Sequence, residues 1–357
     1  MERIGDLTFH MGPAAIGAPD DLEPAIVEFV DAAEKSLDVA VQELESWPVA
    51  EALIRAKQRR CTVRVVLEND YLRASPTAAP DPRLPGGSNE ANRDILVALL
   101  RAKIDVRSDY NAAIFHQKFV VRDYRRATQG LLTGSTNFTE TGLHRNLNHV
   151  MTFRDPALVK AYHDEFREIW SGDFGAKVPA RSGPPVESPV SGVRVRALFA
   201  PDHAPEMEIV KQMLKAERRI DFAIFTFAQS SAIDDVMRRL IRDGIAVRGV
   251  FDPRQANQDW AATRVVQEAG GELYTASRNR RGFGKLHHKL MVIDDRVTIG
   301  GSFNYTAPAN RMNDENIVVI GHGEETDPAA RAAQQRLAGY ARAEIDRIID
   351  RHGSRVT

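Results

Sequence analysis

The stretch Leu286–Asn304, LHHKLMVIDDRVTIGGSFN, decides how the chain folds. It places His287 and Lys289 two residues apart, Asp294 five beyond the lysine, and Gly301-Ser302-x-Asn304 at its end. The apolar runs LMVI and VTI read as short strands, the first ended by Asp. Residues i and i+2 of a strand share a face, so the imidazole and the ammonium project side by side. Asp294 lies roughly 16 Å further along an extended chain. That is too far to share a contact with Lys289, so Asp294 reads as a turn residue. Ser302 and Asn304 then fall on a tight loop, where both can donate hydrogen bonds to an anion.

The chain contains this pattern twice. His116, Lys118, Asp123, Ser135 and Asn137 stand in the same order in HQKFVVRD and LLTGSTN. The spacing from Ser135 to Asn148 equals that from Ser302 to Glu315, and the spacing from Asn137 to Asn146 equals that from Asn304 to Asn313. Repetition of this kind means two similar units whose matching motifs meet across a pseudo-two-fold axis.

Further out, both units alternate helix and strand. EPAIVEFVDAAEKS, LDVAVQEL, VAEALIRAKQRR and TVRVVLEN lead the first; PEMEIVKQMLKAERR, IDFAIFTF, SAIDDVMRRLIRDG and AVRGVFD lead the second. Leu37-Asp38 matches Ile220-Asp221. Near-continuous apolar strands between helices argue an α/β fold: two similar units, each a mixed, mostly parallel sheet flanked by helices, packed as a pseudo-dimer. Residues 1–176 are the first unit, 177–193 a Pro- and Ser-rich linker, and 194–357 the second. A Pro-rich insertion near residues 71–91 has no counterpart in the second unit, and is read either as a rim over the site or as a solvated excursion.

Composition adds bounds. Apolar residues are 43% of the 357, charged residues 27%, and the net charge is −1, so any basic footprint for a polyanion must be local. The lone cysteine, Cys61, lies in the apolar run CTVRVVL and reads as a buried small hydrophobe. One cysteine allows no internal disulfide, and no run is long and apolar enough to span a membrane, so a soluble cytoplasmic protein is expected.

The doubled HxKxxxxD and GSxN pattern resembles the phospholipase D superfamily of phosphodiesterases. The run Asn313-Asp314-Glu315-Asn316 followed by IVVI is similar to its small bacterial nucleases. The chemistry also follows from the residues. One of two facing imidazoles can attack phosphorus while the other protonates the leaving group. Lys118, Lys289, Asn137 and Asn304 would surround the phosphoryl oxygens with donors and positive charge. A phosphohistidine intermediate splits the displacement into two steps. Lysine ammonium groups suit no divalent metal, so no metal or other cofactor is expected. The resemblance implies His116 as nucleophile and His287 as general acid/base. Ser135, Ser302, Asn148 and Glu315 are supporting residues, and sequence leaves open which histidine Asn148 and Glu315 touch.

For the substrate, SRNRRGFGK at 277–285 offers Arg278, Arg280, Arg281 and Lys285 to a phosphate backbone, with Phe283 available for stacking on a base. His144, Arg145, Arg125 and Arg126 would extend this surface, while for chemistry His144, His149 and His288 all read as packing or rim. The expectation is a metal-independent endonuclease acting on DNA or RNA, a monomer with an internal pseudo-dimer or a higher oligomer of it. The alternatives are a phospholipase D acting on lipid headgroups, and a silent nucleic-acid-binding module in which Asn148 has disabled the first motif.

Overall fold

The computed structural model describes residues 1–73, 87–177, 183–276 and 282–357. Most of the Pro-rich insertion, and Arg278, Arg280 and Arg281, therefore lie outside the described residues.

Among the described residues the apolar runs form two sheets. The first holds β1 (Glu2–Ile4), β2 (Leu7–Gly12), β3 (Ser36–Val41), β4 (Thr62–Leu67), β5 (Asp105–Ser108), β6 (Lys118–Arg122), β7 (Gly130–Gly134) and β8 (Asn148–Phe153). Its order is β1-β2-β8-β7-β6-β3-β4-β5. The second holds β9 (Val186–Val190), β10 (Val193–Ala200), β11 (Arg219–Ile224), β12 (Ala246–Phe251), β13 (Glu272–Ala276), β14 (Lys289–Ile293), β15 (Val297–Gly301), β16 (Glu315–Ile320) and β17 (Gly353–Arg355). Its order is β17-β13-β12-β11-β14-β15-β16-β10-β9.

The two similar, mixed α/β units read from the sequence are present, but the balance of pairing differs. Parallel pairs are confined to β3-β4-β5 and β11-β12-β13, and the other pairs are antiparallel. The reason is local: each histidine motif and its GSxN loop form a hairpin, β6-β7 or β14-β15, and hairpins pair antiparallel. The stretch read as linker, 177–193, contains β9, which pairs with β10 at the sheet edge.

Asp123 and Asp294 act as the turn residues expected. Both adopt left-handed backbone (φ 51° and 55°) at the ends of β6 and β14. Asp123 accepts the main-chain N–H groups of Glu34, Lys35 and Ser36, and Asp294 those of Glu217, Arg218 and Arg219, all at 2.6–2.9 Å. Each carboxylate so ties the hairpin to the loop entering its antiparallel neighbour, β3 or β11.

A helix from each unit lies between the sheets. Pro156–Ser171 begins with an Asp155 cap on Leu158 N–H and ends at left-handed Gly172. It touches β3, β6 and β7 on one side and β9 and β10 on the other. Pro328–His352 plays the same part, contacting β1 and β2 as well as β10 through β15. One continuous core joins the units through this layer: Phe119, Tyr162 and Phe199 stack edge to face with centroids 5.1 and 4.8 Å apart. Cys61 is buried, as expected.

Candidate active site

The antiparallel pairing of β3 with β6 sets Val41 beside Lys118, and that of β11 with β14 sets Ile224 beside Lys289. The residues just before β6 and β14 therefore converge with the loops that leave β3 and β11. Short parallel bridges then cross the seam. Phe115 pairs with Asp314, and Leu147 pairs with Leu286. His116 N–H bonds the Asp314 carbonyl, and His287 N–H the Leu147 carbonyl, both at 2.9 Å.

These bridges bring the two imidazoles together, their ring centroids 6.5 Å apart at an interplanar angle of 78°. Each ring is held by a residue of the other unit. His116 Nδ1 lies 2.7 Å from Glu315 Oε2, and His287 Nδ1 lies 3.0 Å from Asn148 Oδ1. Both partners fix Nδ1 as the protonated nitrogen and leave Nε2 for chemistry.

Ser135 and Ser302 were expected to donate to an anion, and the structure assigns them otherwise. Both are buried, and their hydroxyls donate to Asn148 (2.8 Å) and Glu315 (2.6 Å). They brace the groups that brace the histidines. The glycines before them allow this: a Cβ on Gly134 would lie 2.2 Å from the His149 carbonyl, and one on Gly301 2.3 Å from that of Asn316. Asn137 and Asn304 remain half-buried, one on each loop.

Both lysines fold back on their own motif: Lys118 Nζ donates to the His116 carbonyl at 2.8 Å, and Lys289 Nζ to that of His287 at 2.9 Å. Burial opposes their charge, and they repel each other. Burial drives Lys118 down to about 7, although Glu315 and Glu43 pull it up; burial and then Lys118 hold Lys289 well below its ordinary value. His116 is pushed down to about 4 by burial despite Glu315. His287 is held well below 6.5 by burial and then by Lys289 and Lys285. Both imidazoles are thus neutral at pH 7.

Of the substrate residues read from the sequence, Lys285 reaches the site. Its ammonium lies 4.8 Å from the centroid of Phe225, whose ring is 5.0 Å from that of His287. Phe283 is not available to a base: it is 6% exposed, in the core, and stacks on His352 at 5.0 Å. Arg145 joins this edge, donating to the Gly282 carbonyl. Arg125 and Arg126 do not extend it, because the β6-β7 turn lies at the end of β6 away from Lys118. His144 pairs with Glu23 at 3.0 Å.

Two features went unread in the sequence. Glu43 and Phe225 stand just past β3 and β11, at the carboxyl ends of parallel strands, where α/β folds present ligand-facing groups. That position was the available signal. His149 and His288 form a buried pair below the site, with Nδ1 atoms 3.1 Å apart. Among the described residues no group of three or more His, Cys, Asp or Glu converges as a metal site. No helix among them is long and apolar enough to cross a membrane.

A family model described as cardiolipin synthase, phospholipase D-like domain, matches residues 26–170 and 209–337. The mitochondrial cardiolipin hydrolase of Chlamydomonas reinhardtii is 27% identical over 214 residues, covering 53% of this chain and 89% of that one. The phospholipase D of Rickettsia prowazekii is 28% identical over 133 residues, covering 37% of this chain and 62% of that one. The crystal structure of the phosphatidylserine synthase of Haemophilus influenzae superposes with a TM-score of 0.67 at 14% identity, over 98% of this chain and 87% of that one.

Proposed function

The chain belongs to the phospholipase D superfamily, and from that premise we propose that it cleaves phosphodiester bonds of phospholipid headgroups through a phosphohistidine on His116. The observation that carries the chemistry is the facing of two neutral imidazoles with crossed partners. His116 Nε2 attacks phosphorus, the P–O bond to the headgroup breaks, and His287 delivers the proton that the departing alkoxide needs. The charge of the bound phosphate favours protonated His287, offsetting burial and the lysines around it. Water then enters on the His287 side, gives its proton to that ring and displaces His116, leaving a phosphate monoester. Lys118, Lys289 and Asn304 hold the non-bridging oxygens throughout. Glu315 accepts the His116 Nδ1 proton and offsets the charge that develops on that ring as it attacks.

The preference for lipid rests on two supports. The relatives described above are named for cardiolipin and phospholipids. Next to the Phe115–Asp314 bridge that leads into His116, Ile114 and Met312 are 46% and 51% exposed. Exposed apolar side chains at a mouth suit docking on a lipid surface. The nucleic-acid reading has lost its stacking residue, since Phe283 is buried. The silent-module reading loses its motive too: Asn148 supports His287 of the other motif instead of disabling its own.

The test is a panel in EDTA: phosphatidylcholine and cardiolipin vesicles, plasmid, and single-stranded oligonucleotide. Headgroup release from vesicles with intact nucleic acids is expected. Nicked plasmid with untouched lipid would reverse the substrate assignment, and loss of all turnover in EDTA would remove the metal-independent mechanism.

A further inference from the structure

Asn137 and Asn304 occupy matching places, yet their amides are tied differently. Asn304 Oδ1 accepts the main-chain N–H of Thr226 at 3.3 Å, which leaves both hydrogens of its Nδ2 for an anion. Asn137 is the reverse: its Nδ2 donates to the Glu43 carboxylate, and its buried Oδ1 has no partner. Glu43 stands where the second unit has Thr226, five residues past Asp38 and Asp221. One wall of the site thus ends in a carboxylate that occupies the group needed for phosphate, and an orphaned carbonyl oxygen lies beside it.

Resting on the reading of this site as a phosphodiester site, we propose that Glu43 is a positioning residue for Asn137. The site takes its anion with Glu43 protonated, its hydroxyl donating to Asn137 Oδ1 and the turned amide offering its N–H groups to the phosphate. One proton satisfies the orphaned oxygen, frees two donors and removes a negative charge from the anion's approach. The arrangement then matches that of Asn304.

The surroundings make that proton accessible at neutral pH. Burial, and next Glu45 on the same loop, raise Glu43 to about 7, while Lys118 from β6, Lys285 from the other unit and the Asn137 bond pull it down. Tyr71, past β4, also faces it. Lys118 titrates in the same range, so the test must separate the two groups, and their signs do so. Ionised Glu43 weakens anion binding above pH 7. Glu43→Gln keeps a permanent donor for Asn137 Oδ1, so the alkaline loss of affinity should vanish. If Lys118 governed that loss, removing the Glu43 charge would lower the lysine further and move the loss to more acidic pH.

The experiment measures tungstate affinity by calorimetry, and kcat/KM on bis(p-nitrophenyl) phosphate, from pH 6 to 9 for the parent, Glu43→Gln and Glu43→Asp. For the parent, affinity should fall about tenfold per pH unit above 7, as for a single ionisation. Glu43→Gln should bind about tenfold tighter than the parent at pH 8, and Glu43→Asp should restore the loss. In an Asn137→Ala background the gain from Glu43→Gln should largely disappear. An alkaline loss unmoved or shifted to acid in a folded Glu43→Gln overturns the role of Glu43 alone. Failure of the parent to bind tungstate at any pH overturns the phosphate site itself, and this proposal with it.

Discussion

The two units place matching residues around one point and then treat them differently. His116 leans on a carboxylate, and His287 on an amide. Below the site the contrast continues. Under the first histidine, Gln117 and Asn316 bond across the seam at 2.7 Å, with Gln117 reaching Glu165, and Asn316 accepting from Thr133 and Tyr162. Under the second, the matching places hold His288 and His149, beside Glu344. Burial and then the nearby Asp314 raise Glu165 well above its usual range. Glu344 is held low: burial would raise it, but a two-pronged bond from Arg347 outweighs this. A duplicated scaffold supplies symmetry of place, and the buried partners break symmetry of role. One imidazole has a counter-charge beside it and the other only a neutral amide, which is the asymmetry the proposed division of roles rests on.

The largest effect should come from the rings themselves. His116→Ala should cut turnover by roughly 10⁴-fold or more, as removal of a nucleophile does elsewhere. His287→Ala should behave differently on a p-nitrophenyl diester, whose leaving group needs no proton. The first step continues, and a covalent adduct accumulates that intact-mass measurement detects. An adduct in His116→Ala and none in His287→Ala would exchange the two roles.

A second, smaller effect concerns the partners. Glu315→Gln should lower kcat about 10- to 100-fold, the usual range for an outer partner of a functional imidazole. Asn148→Asp should cost less, because its ring gains a counter-charge without losing its orientation. Equal losses in both variants would erase the distinction between the units.

The smallest effect is on stability, and it sharpens the comparison below the site. His149 and His288 both lie below 6.5 in the fold, His149 by burial and His288, and His288 by burial against the pull of Glu344. An unfolded chain takes up those protons as pH falls through 6.5, so their stabilisation is full above that pH and is lost below it. A tenfold difference in proton affinity between the folded and unfolded chain corresponds to about 1.4 kcal/mol. The double variant His149→Asn, His288→Gln copies the Gln117–Asn316 pair. Its melting temperature should fall less than the parent's between pH 7 and pH 5. Parallel curves would mean the pair does not titrate with folding.

Much of this was legible in the sequence because it is local. The paired His-x-Lys spacing and the apolar runs between helices announced two α/β units, although His116 and His287 precede β6 and β14 instead of lying on them, and each lysine turns back to its histidine's carbonyl. The turn roles of Asp123 and Asp294 followed from chain geometry alone. Phe283 was misjudged because an aromatic among arginines and glycines looks exposed, whereas it joins the core and stacks on His352 at the end of the last helix.

Sequence by itself determined the duplicated motif, the two units and the set of groups available for chemistry, since all of these depend on spacing within a few residues. The tertiary structure alone decided who partners whom. Glu315 reaches His116 across 199 residues of chain and Asn148 reaches His287 across 139. No local periodicity encodes such pairs. They exist because two short bridges carry each motif past the seam, so that every imidazole is completed by the opposite unit.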